Sequence, residues 1–400
     1  MLIVPLDQAR AGMVLAASVA HPERPDQDLL KRGYVLAEGV IDRLRELRVP
    51  YIYVEYPALD SFDRHLEVYL SPARRALYSQ IKAVVEETQT LARPSILYSD
   101  YYSTCRELMR TLMGQGRFPI YLDQMLRIGN DAVSHAAAVA HLATLLGLKL
   151  ESYLIQERNR LSVRHAREVV SLGVAGMLHD IGKLKLSSDL QEFNCVNPPE
   201  IHERRLPWES HSALSYDMIH QGVSPAAAIA VLHHHQHFDG SGFPAVTHKD
   251  GNVAPLAGHG IHIFARILMC ADLFDRLSTP HSGHARRSNL EVLHLMRTRY
   301  NGWLDPVVLR TLETVCLPFP PGSRVGLADG TEAVVVRLRE GDPYHPIVRR
   351  LADDGWELRE TPIDTADPQS PAMVTAGGKA VEGMLPWSIE ESHDLAATSA

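Results

Sequence analysis

The spacing of apolar positions divides the chain into regions, beginning with a short mixed segment. Residues 2–5 and 51–55 are brief apolar runs typical of β-strands. Between them, Val40, Leu44 and Leu47 recur at the spacing of one helical face. The pattern therefore predicts a small α+β module over residues 1–60.

Helical spacing dominates the middle of the chain. Pro72 follows Ser71 at a suitable first helical position, and the apolar pattern continues from there to about residue 91. We assign residues 61–120 to a helical connector. The pattern of residues 121–317 is nearly all helical, with glycine-rich and proline-rich interruptions, and predicts the main domain.

After the main domain, apolar positions recur at every second residue. Residues 324–326 and 332–338 flank an Asp329-Gly330 turn, which predicts a small β hairpin module over residues 318–364. Low hydrophobicity and an excess of acidic residues predict a disordered tail over residues 365–400. The expected fold class is mainly α: a helical catalytic domain between a small α+β module and a small β hairpin module.

Composition excludes several classes of protein. With 45% hydrophobic and 22% charged residues, the 400-residue chain is typical of globular proteins, and its net charge of −8 does not favour binding to a DNA or RNA duplex. His135 and His141 interrupt its alanine-rich apolar stretch, so membrane insertion is not expected. The N-terminus lacks the basic region of a signal peptide, so we expect a cytoplasmic protein. The four cysteines form no CxxC pair, which favours reduced thiols over disulfides or a zinc site.

Histidine is the unusual component, because 17 of the 21 histidines lie between His135 and His294. Asp131 and His135 are spaced i and i+4, so they would share a helix face and could bind one metal ion. For this pair alone, an exposed aspartate beside a packed histidine is the favoured alternative.

The segment from His179 to Lys183 reads His-Asp-Ile-Gly-Lys and follows an apolar helical pattern. His179 could bind one metal ion while Asp180 bridges to a second, and Lys183 could reach a phosphate. Burying these charges without partners would cost several kcal/mol, which favours a metal or a substrate, although a His-Asp pair by itself is common.

Four further residues complete the candidate ligands. His211, taken alone, is better explained as a packed or surface histidine. His234 and His235 end a predicted helix that begins at Ser224-Pro225, just before a glycine-rich run over 239–244. Asp272 lies in a strongly apolar helical segment, where an uncompensated carboxylate would be costly.

The donors are imidazoles and carboxylates without thiolates, which favours iron, manganese or a similar divalent ion over structural zinc. Six or seven ligands are too many for one ion. Two ions about 3.5–4 Å apart, with a bridging hydroxide as nucleophile, are the usual arrangement for attack at phosphorus. The sequence therefore points to phosphoester hydrolysis.

These residues, in this order, resemble the HD-GYP domain, a branch of the HD phosphohydrolase superfamily, over about residues 121–317. The resemblance implies a phosphodiesterase that converts cyclic di-GMP to pGpG, and in some members onward to GMP. It also implies two or three bound divalent ions, either iron or manganese. Asp180 would bridge two of these ions, and Lys183 would contact the scissile phosphate, so Asp180 and Lys183 are the catalytic candidates. The implied metal ligands are Asp131, His135, His179, Asp180, His211, His234, His235 and Asp272.

The implied substrate contacts are Lys183, Asp239, Gly240, Gly242, Phe243, Pro244, Arg286 and Arg287. The chain departs from the family at Phe243, which replaces the signature tyrosine, and at Gln236, which replaces a glutamate. Histidines 281 and 284 stand where the family has an arginine-rich stretch, and neutral histidine lacks the bidentate fork of arginine.

Two alternatives therefore stay open. One is a hydrolase of another cyclic dinucleotide or of a nucleoside phosphate, and the other is a catalytically degenerate sensor that binds nucleotide or metal. The expected small-molecule partner is cyclic di-GMP or a related cyclic dinucleotide, and a homodimer or signalling proteins are the candidate macromolecular partners.

Overall fold

The computed structural model describes residues 2–21, 24–47, 49, 51–56, 59, 72–90, 98–114, 132–248, 251–278, 287–339, 341–352 and 357–385. The helices are α1 (Glu38–Glu46), α2 (Pro72–Thr90), α3 (Tyr98–Met113), α4 (Ala132–Lys149), α5 (Glu151–Glu157), α6 (Val163–Ala166), α7 (Val170–Leu178), α8 (Ser188–Gln191), α9 (His202–Glu209), α10 (His211–Ile219), α11 (Pro225–Leu232), α12 (Ile263–Ser278), α13 (Asn289–Thr298) and α14 (Pro306–Val315). The strands are β1 (Leu2–Pro5), β2 (Val19–His21), β3 (Arg24–Leu30), β4 (Tyr51–Val54), β5 (Val246–Thr247), β6 (Val253–Ala254), β7 (Arg324–Leu327), β8 (Glu332–Arg339), β9 (Asp342–Leu351), β10 (Leu358–Asp364), β11 (Met373–Ala376) and β12 (Lys379–Ala380). The mainly α fold class is confirmed.

Contacts divide the chain into a helical unit, residues 68–287 and 296–315, and a second unit, residues 1–67, 288–295 and 316–400. The second unit contains both chain ends, a grouping that the sequence did not predict. Its N-terminal strands β1 and β4 pair antiparallel, and β7 to β12 form an antiparallel sheet in the order β10-β9-β8-β7-β11-β12. Val334 and Leu351 of this sheet share a hydrophobic core with the N-terminal segment.

The expectation of disorder from residue 365 onward was wrong for residues 365–385. Strand β11 pairs with β7, and β12 pairs with β11. Met373 and Val381 are buried in the sheet's core despite their polar surroundings in the sequence. The composition of this segment did not predict these strands, because two buried apolar side chains and pairing with a strand distant in the sequence hold them in place.

The helical unit is built around α4 and α7, which are buried on nearly every face. They cross closely at Gly176, where a Cβ atom would lie 2.6 Å from the Cα atom of Ala140. Helix α12 packs against α4, and α11 packs against α7. Among the described helices, α4 alone is long and apolar enough to cross a bilayer, yet 83% of that stretch is buried inside the protein, as in a core helix.

A buried ion-pair network fixes the start of α12. The Arg266 side chain, 2% exposed, donates to Asp305 Oδ2 at 2.5 Å and to the Tyr153 hydroxyl at 2.9 Å, and it also pairs with Glu157. The Ile261 carbonyl accepts from Arg266 Nε at 3.0 Å. The network joins α12 to α5 and to the residue that precedes α14.

His262, just before α12, predicts a pH dependence of stability. Its Nδ1 atom accepts the Phe264 N–H at 3.2 Å, and burial, with the charges of Arg158 and Arg266, lowers its pKa from 6.5 to about 4. The unfolded chain takes up a proton near pH 6.5 that the folded chain resists. The free energy of unfolding should therefore fall as the pH drops from 6.5 to about 4, by up to about 3 kcal/mol from this group.

Denaturant unfolding of the metal-free protein across this pH range would measure the effect. His262→Asn keeps a helix-capping acceptor without a titrating ring, so its stability should depend less steeply on pH. His165→Asn removes an exposed histidine and is the matched control. Equal slopes in His262→Asn and the wild type would contradict the prediction.

Candidate metal centre

Five segments of the helical unit bring the predicted ligands to one buried cluster. His135 lies on α4, His179 and Asp180 follow α7, and His211 begins α10. His234 and His235 follow α11, and Asp272 lies on α12. Each of these histidines and Asp272 is buried, and the side chain of Asp180 is 11% exposed. Asp131 lies outside the described residues.

The first group of donors surrounds one oxygen of Asp180. Oδ2 of Asp180 is 3.7 Å from His135 Nε2 and 3.6 Å from His179 Nε2, and the three atoms could hold a metal ion. Asp272 Oδ1 adds a carboxylate at 3.1 Å from His135 Nε2.

The second group surrounds the other oxygen of the same carboxylate. Oδ1 of Asp180 is 3.4 Å from His211 Nε2 and 3.6 Å from His234 Nε2. His235 joins this group, with its Nε2 atom 3.1 Å from that of His211. Asp180 therefore presents one oxygen to each group, as a ligand that bridges two cations would.

Backbone carbonyls orient three of the imidazoles in the same way. Nδ1 of His179, His211 and His234 lies 2.9, 2.7 and 2.6 Å from the carbonyl oxygen of the residue three positions earlier. A carbonyl only accepts, so each Nδ1 carries the proton and each Nε2 presents a lone pair to the cluster. Helix-end carbonyls are free to accept in this way, since they lack partners further along the helix.

The atoms that face one another inside the cluster are lone pairs and carboxylate oxygens, which are suited to binding cations. His135 Nδ1 faces the Asp275 carboxylate at 2.5 Å and must donate to it, so in the neutral ring His135 Nε2 presents a lone pair. That lone pair faces the lone pair of His179 Nε2 at 3.1 Å, which is unfavourable unless a cation lies beside both. Within the described part of the chain, four buried atoms of the cluster have no hydrogen-bond partner: Asp180 Oδ1, Asp272 Oδ1, His234 Nε2 and His235 Nδ1.

Electrostatics leaves the cluster in the protonation state that metals require. Burial lowers the pKa of His179 to about 4, and burial and the nearby Lys183 charge hold the pKa of His211 well below its usual value. Burial alone would raise the pKa of Asp180, but Lys183 and the neighbouring imidazoles outweigh it and hold that pKa well below 3.8. The neutral imidazoles of His179 and His211 therefore face the ionised carboxylate of Asp180 at neutral pH.

Gly182 allows Asp180 and His211 to approach each other. A short 3-10 helix over Ile181–Lys185 packs on α10, and Gly182 N–H donates to Ser215 Oγ at 2.8 Å. A Cβ atom on Gly182 would lie 2.3 Å from the His211 carbonyl oxygen. Glycine is therefore required by this backbone contact.

The glycine-rich run folds back onto the second group. The Phe243 ring stacks on His235 with centroids 4.7 Å apart, and the Phe243 N–H donates to the His235 carbonyl. A Cβ atom on Gly242 would lie 2.3 Å from that carbonyl oxygen. Gln236 holds the loop by donating to the Pro244 carbonyl at 2.5 Å and accepting the Leu256 N–H at 2.8 Å. The residue that replaces the family's glutamate thus has a structural role.

The other described substrate candidates make local contacts of their own. Asp239 Oδ1 accepts the Ser241 N–H and hydroxyl, and Gly240 has a positive φ of 82° that glycine tolerates. Arg287 donates to the Leu277 carbonyl at 2.9 Å, near the end of α12. Arg286, with histidines 281 and 284, lies outside the described residues.

Two neighbours of the cluster were missed in the sequence. Arg276 donates to Asp180 Oδ2 at 2.8 Å, beside Lys183, which donates to the same oxygen at 2.7 Å. The sequence feature that could have identified Arg276 is its position four residues after Asp272, which places both side chains on one face of the helix. Cys195 Sγ lies 3.3 Å from Asp272 Oδ2, a contact between residues 77 positions apart that no local pattern announces.

Comparisons with known proteins agree with this arrangement. Residues 149–308 match the HD domain family. Cyclic di-GMP phosphodiesterase PA4108 of Pseudomonas aeruginosa is 25% identical over 352 residues, 83% of this chain and 81% of that protein. The 3'3'-cGAMP-specific phosphodiesterase 3 of Vibrio cholerae is 27% identical over 144 residues, 35% of this chain and 28% of that protein.

One solved structure is also similar. Bd1817, an HDG"Y"P protein from Bdellovibrio bacteriovorus, is 14% identical with a TM-score of 0.38, and the match covers 78% of this chain and 97% of that chain. The HD domain match over residues 149–308 and the similarity to a relative that aligns over most of its length support the interpretation of this chain as an HD-GYP domain protein.

Proposed function

We propose that the protein is a metal-dependent phosphodiesterase that hydrolyses cyclic di-GMP to pGpG or further to GMP. The observation that carries this proposal is the shared carboxylate of Asp180, which presents one oxygen to each of two groups of imidazoles. Two such groups that share one carboxylate would hold two cations, the arrangement used for in-line displacement at phosphorus.

Each group of residues then has a distinct task. Bound divalent ions would supply an activated water and positive charge for the oxygens of the phosphodiester. His135, His179 and Asp272 would hold one ion, and the other three histidines would hold the second, with Asp180 between them. The donor set of nitrogen and oxygen atoms favours iron or manganese. A third ion, using Asp131, stays a prediction.

Lys183 would bind the scissile phosphate. Its ammonium lies 2.7 Å from Asp180 Oδ2, so it is already next to the carboxylate that would bridge the ions. With Asp180 Oδ2 serving as a metal ligand, the ammonium would be positioned to donate to a phosphate oxygen. Phe243 would contribute an apolar wall beside His235 without a hydroxyl to donate.

The relatives support a cyclic dinucleotide as substrate. One is named a cyclic di-GMP phosphodiesterase and aligns over most of both chains, whereas another is named 3'3'-cGAMP-specific. A cyclic dinucleotide other than cyclic di-GMP is therefore the second candidate substrate. Cytoplasmic action and a homodimer or protein partner stay predictions.

Product identification would test the proposal. Anaerobically purified protein, loaded with Fe²⁺ or Mn²⁺, is expected to convert cyclic di-GMP to pGpG and GMP, faster than it converts 3'3'-cGAMP. The same protein treated with a chelator is the control and should form no product. Tight binding of cyclic di-GMP without any product, in metal-loaded protein, would favour a degenerate sensor instead.

A further inference from the structure

Arg276 places a fixed positive charge inside the candidate metal centre. It lies one helical turn after Asp272 on α12, and its side chain is 20% exposed. Its Nη2 atom lies 2.8 Å from Asp180 Oδ2, and its Nε atom lies 3.5 Å from Asp272 Oδ1. A guanidinium keeps its charge throughout the accessible pH range, so this charge is permanent.

Both oxygens that Arg276 faces belong to the same group of donors. Asp180 Oδ2 faces His135 and His179, and Asp272 Oδ1 faces His135. The other Asp180 oxygen, Oδ1, faces His211 and His234 and has no hydrogen-bond partner in the described part of the chain. Arg276 is therefore positioned unequally with respect to the two groups.

We propose that Arg276 makes the two cation subsites unequal. It weakens the subsite of His135, His179 and Asp272, so that the subsite of His211, His234 and His235 fills first. The reason is that a cation in the weaker subsite must displace both the Lys183 ammonium and the Arg276 guanidinium from Asp180 Oδ2. The guanidinium, which also faces Asp272 Oδ1, then remains beside the cation as a like charge. The stronger subsite uses the oxygen that Arg276 does not contact. This inference rests on the two-cation site of the proposed function.

The consequence is a half-loaded protein at limiting metal. One ion occupies the stronger subsite while Arg276 continues to neutralise Asp180 Oδ2 and Asp272 Oδ1. Hydrolysis would begin only when metal reaches the concentration that fills the weaker subsite. Arg276 is thus a positioning residue, which acts through the metal rather than on the substrate.

Calorimetric titration of the metal-free full-length chain with Mn²⁺ tests the inference without using activity. The wild type is expected to bind in two steps. His235→Ala should remove the stronger step, and His135→Ala should remove the weaker one. Arg276→Met should tighten the weaker step at least about tenfold, the effect of one unit charge a few ångströms from a divalent ion even under water-like screening. The stronger step should change by a smaller factor than the weaker one, since it uses the carboxylate oxygen that Arg276 does not contact.

Two further variants keep the test decisive. Arg276→Lys retains the charge and should retain a weak second step, even if the methionine variant folds poorly. Arg106→Met removes an exposed arginine from α3 and should bind Mn²⁺ as the wild type does. Two equal steps in the wild type, or an unchanged weaker step in Arg276→Met, would overturn the inference and leave the proposed function standing. Absence of any Mn²⁺ binding by the wild type would contradict the proposed metal site itself, and the inference with it.

Discussion

Replacing His179 and Asp180 together by alanine is expected to abolish hydrolysis of cyclic di-GMP, a loss of more than about a thousandfold for groups that act as one unit. Asp180 presents an oxygen to each group of histidines, so its removal affects both subsites. His179 presents a lone pair that its neighbour Gly176 orients. Product formation and bound metal, measured on the same preparation, would show the two losses together.

Control variants separate this effect from damage to the fold. His165→Ala with Asp189→Ala removes an exposed histidine and an exposed aspartate and should retain both metal and turnover. Circular dichroism should show that the helices persist in the double variant at the metal centre. Unchanged hydrolysis in that variant, with its metal content verified, would falsify the assignment of the active site.

The second large effect concerns stability. Arg266→Met should lower the free energy of unfolding by about 3–5 kcal/mol, because Asp305 and Glu157 would be left without their buried cation. The substitution keeps most of the side-chain volume, so lost packing contributes little. Equilibrium unfolding in denaturant, with metal-free protein, measures the change. Since α12 also carries Asp272, metal affinity should fall as well.

A second arginine in the helical unit is the matched control. Arg204 lies 2.7 Å from Asp189, and both side chains are exposed, at 42% and 59%. Replacing Arg204 by methionine should lower the free energy of unfolding by no more than about 1 kcal/mol, as for most exposed pairs. If the two substitutions had equal effects, the Arg266 network would not be the support of α12 that its burial implies.

Local sequence patterns predicted much of the fold. The strands at residues 2–5 and 51–54 and the hairpin of β7 and β8 are confirmed. So is the N-terminus of α11, where Ser224 Oγ accepts the Ala227 N–H and Pro225 follows. Each of these features is decided by residues a few positions apart. Spacing and turn chemistry therefore suffice to predict them.

Features decided across the chain were harder to predict. The strands after residue 365 depend on pairing with β7, about fifty residues earlier in the sequence. The candidate ligands could be chosen because histidine and buried aspartate stand out from an apolar pattern. Arg276 could not be chosen in this way, since its role depends on a contact with Asp180, which is 96 positions away in the sequence. A charged residue near a helix end is usually solvated, so its spacing from Asp272 carried little weight.

The origin of the ligands in five segments has a consequence for folding. Ions bound by α4, α10, α11, α12 and the residues after α7 would act as a non-covalent cross-link that closes several loops at once. Because the unfolded chain cannot present these donors together, the binding free energy of the ions would add to the stability of the helical unit. The same ions that serve catalysis would then also determine how long the helical unit survives heat or proteases.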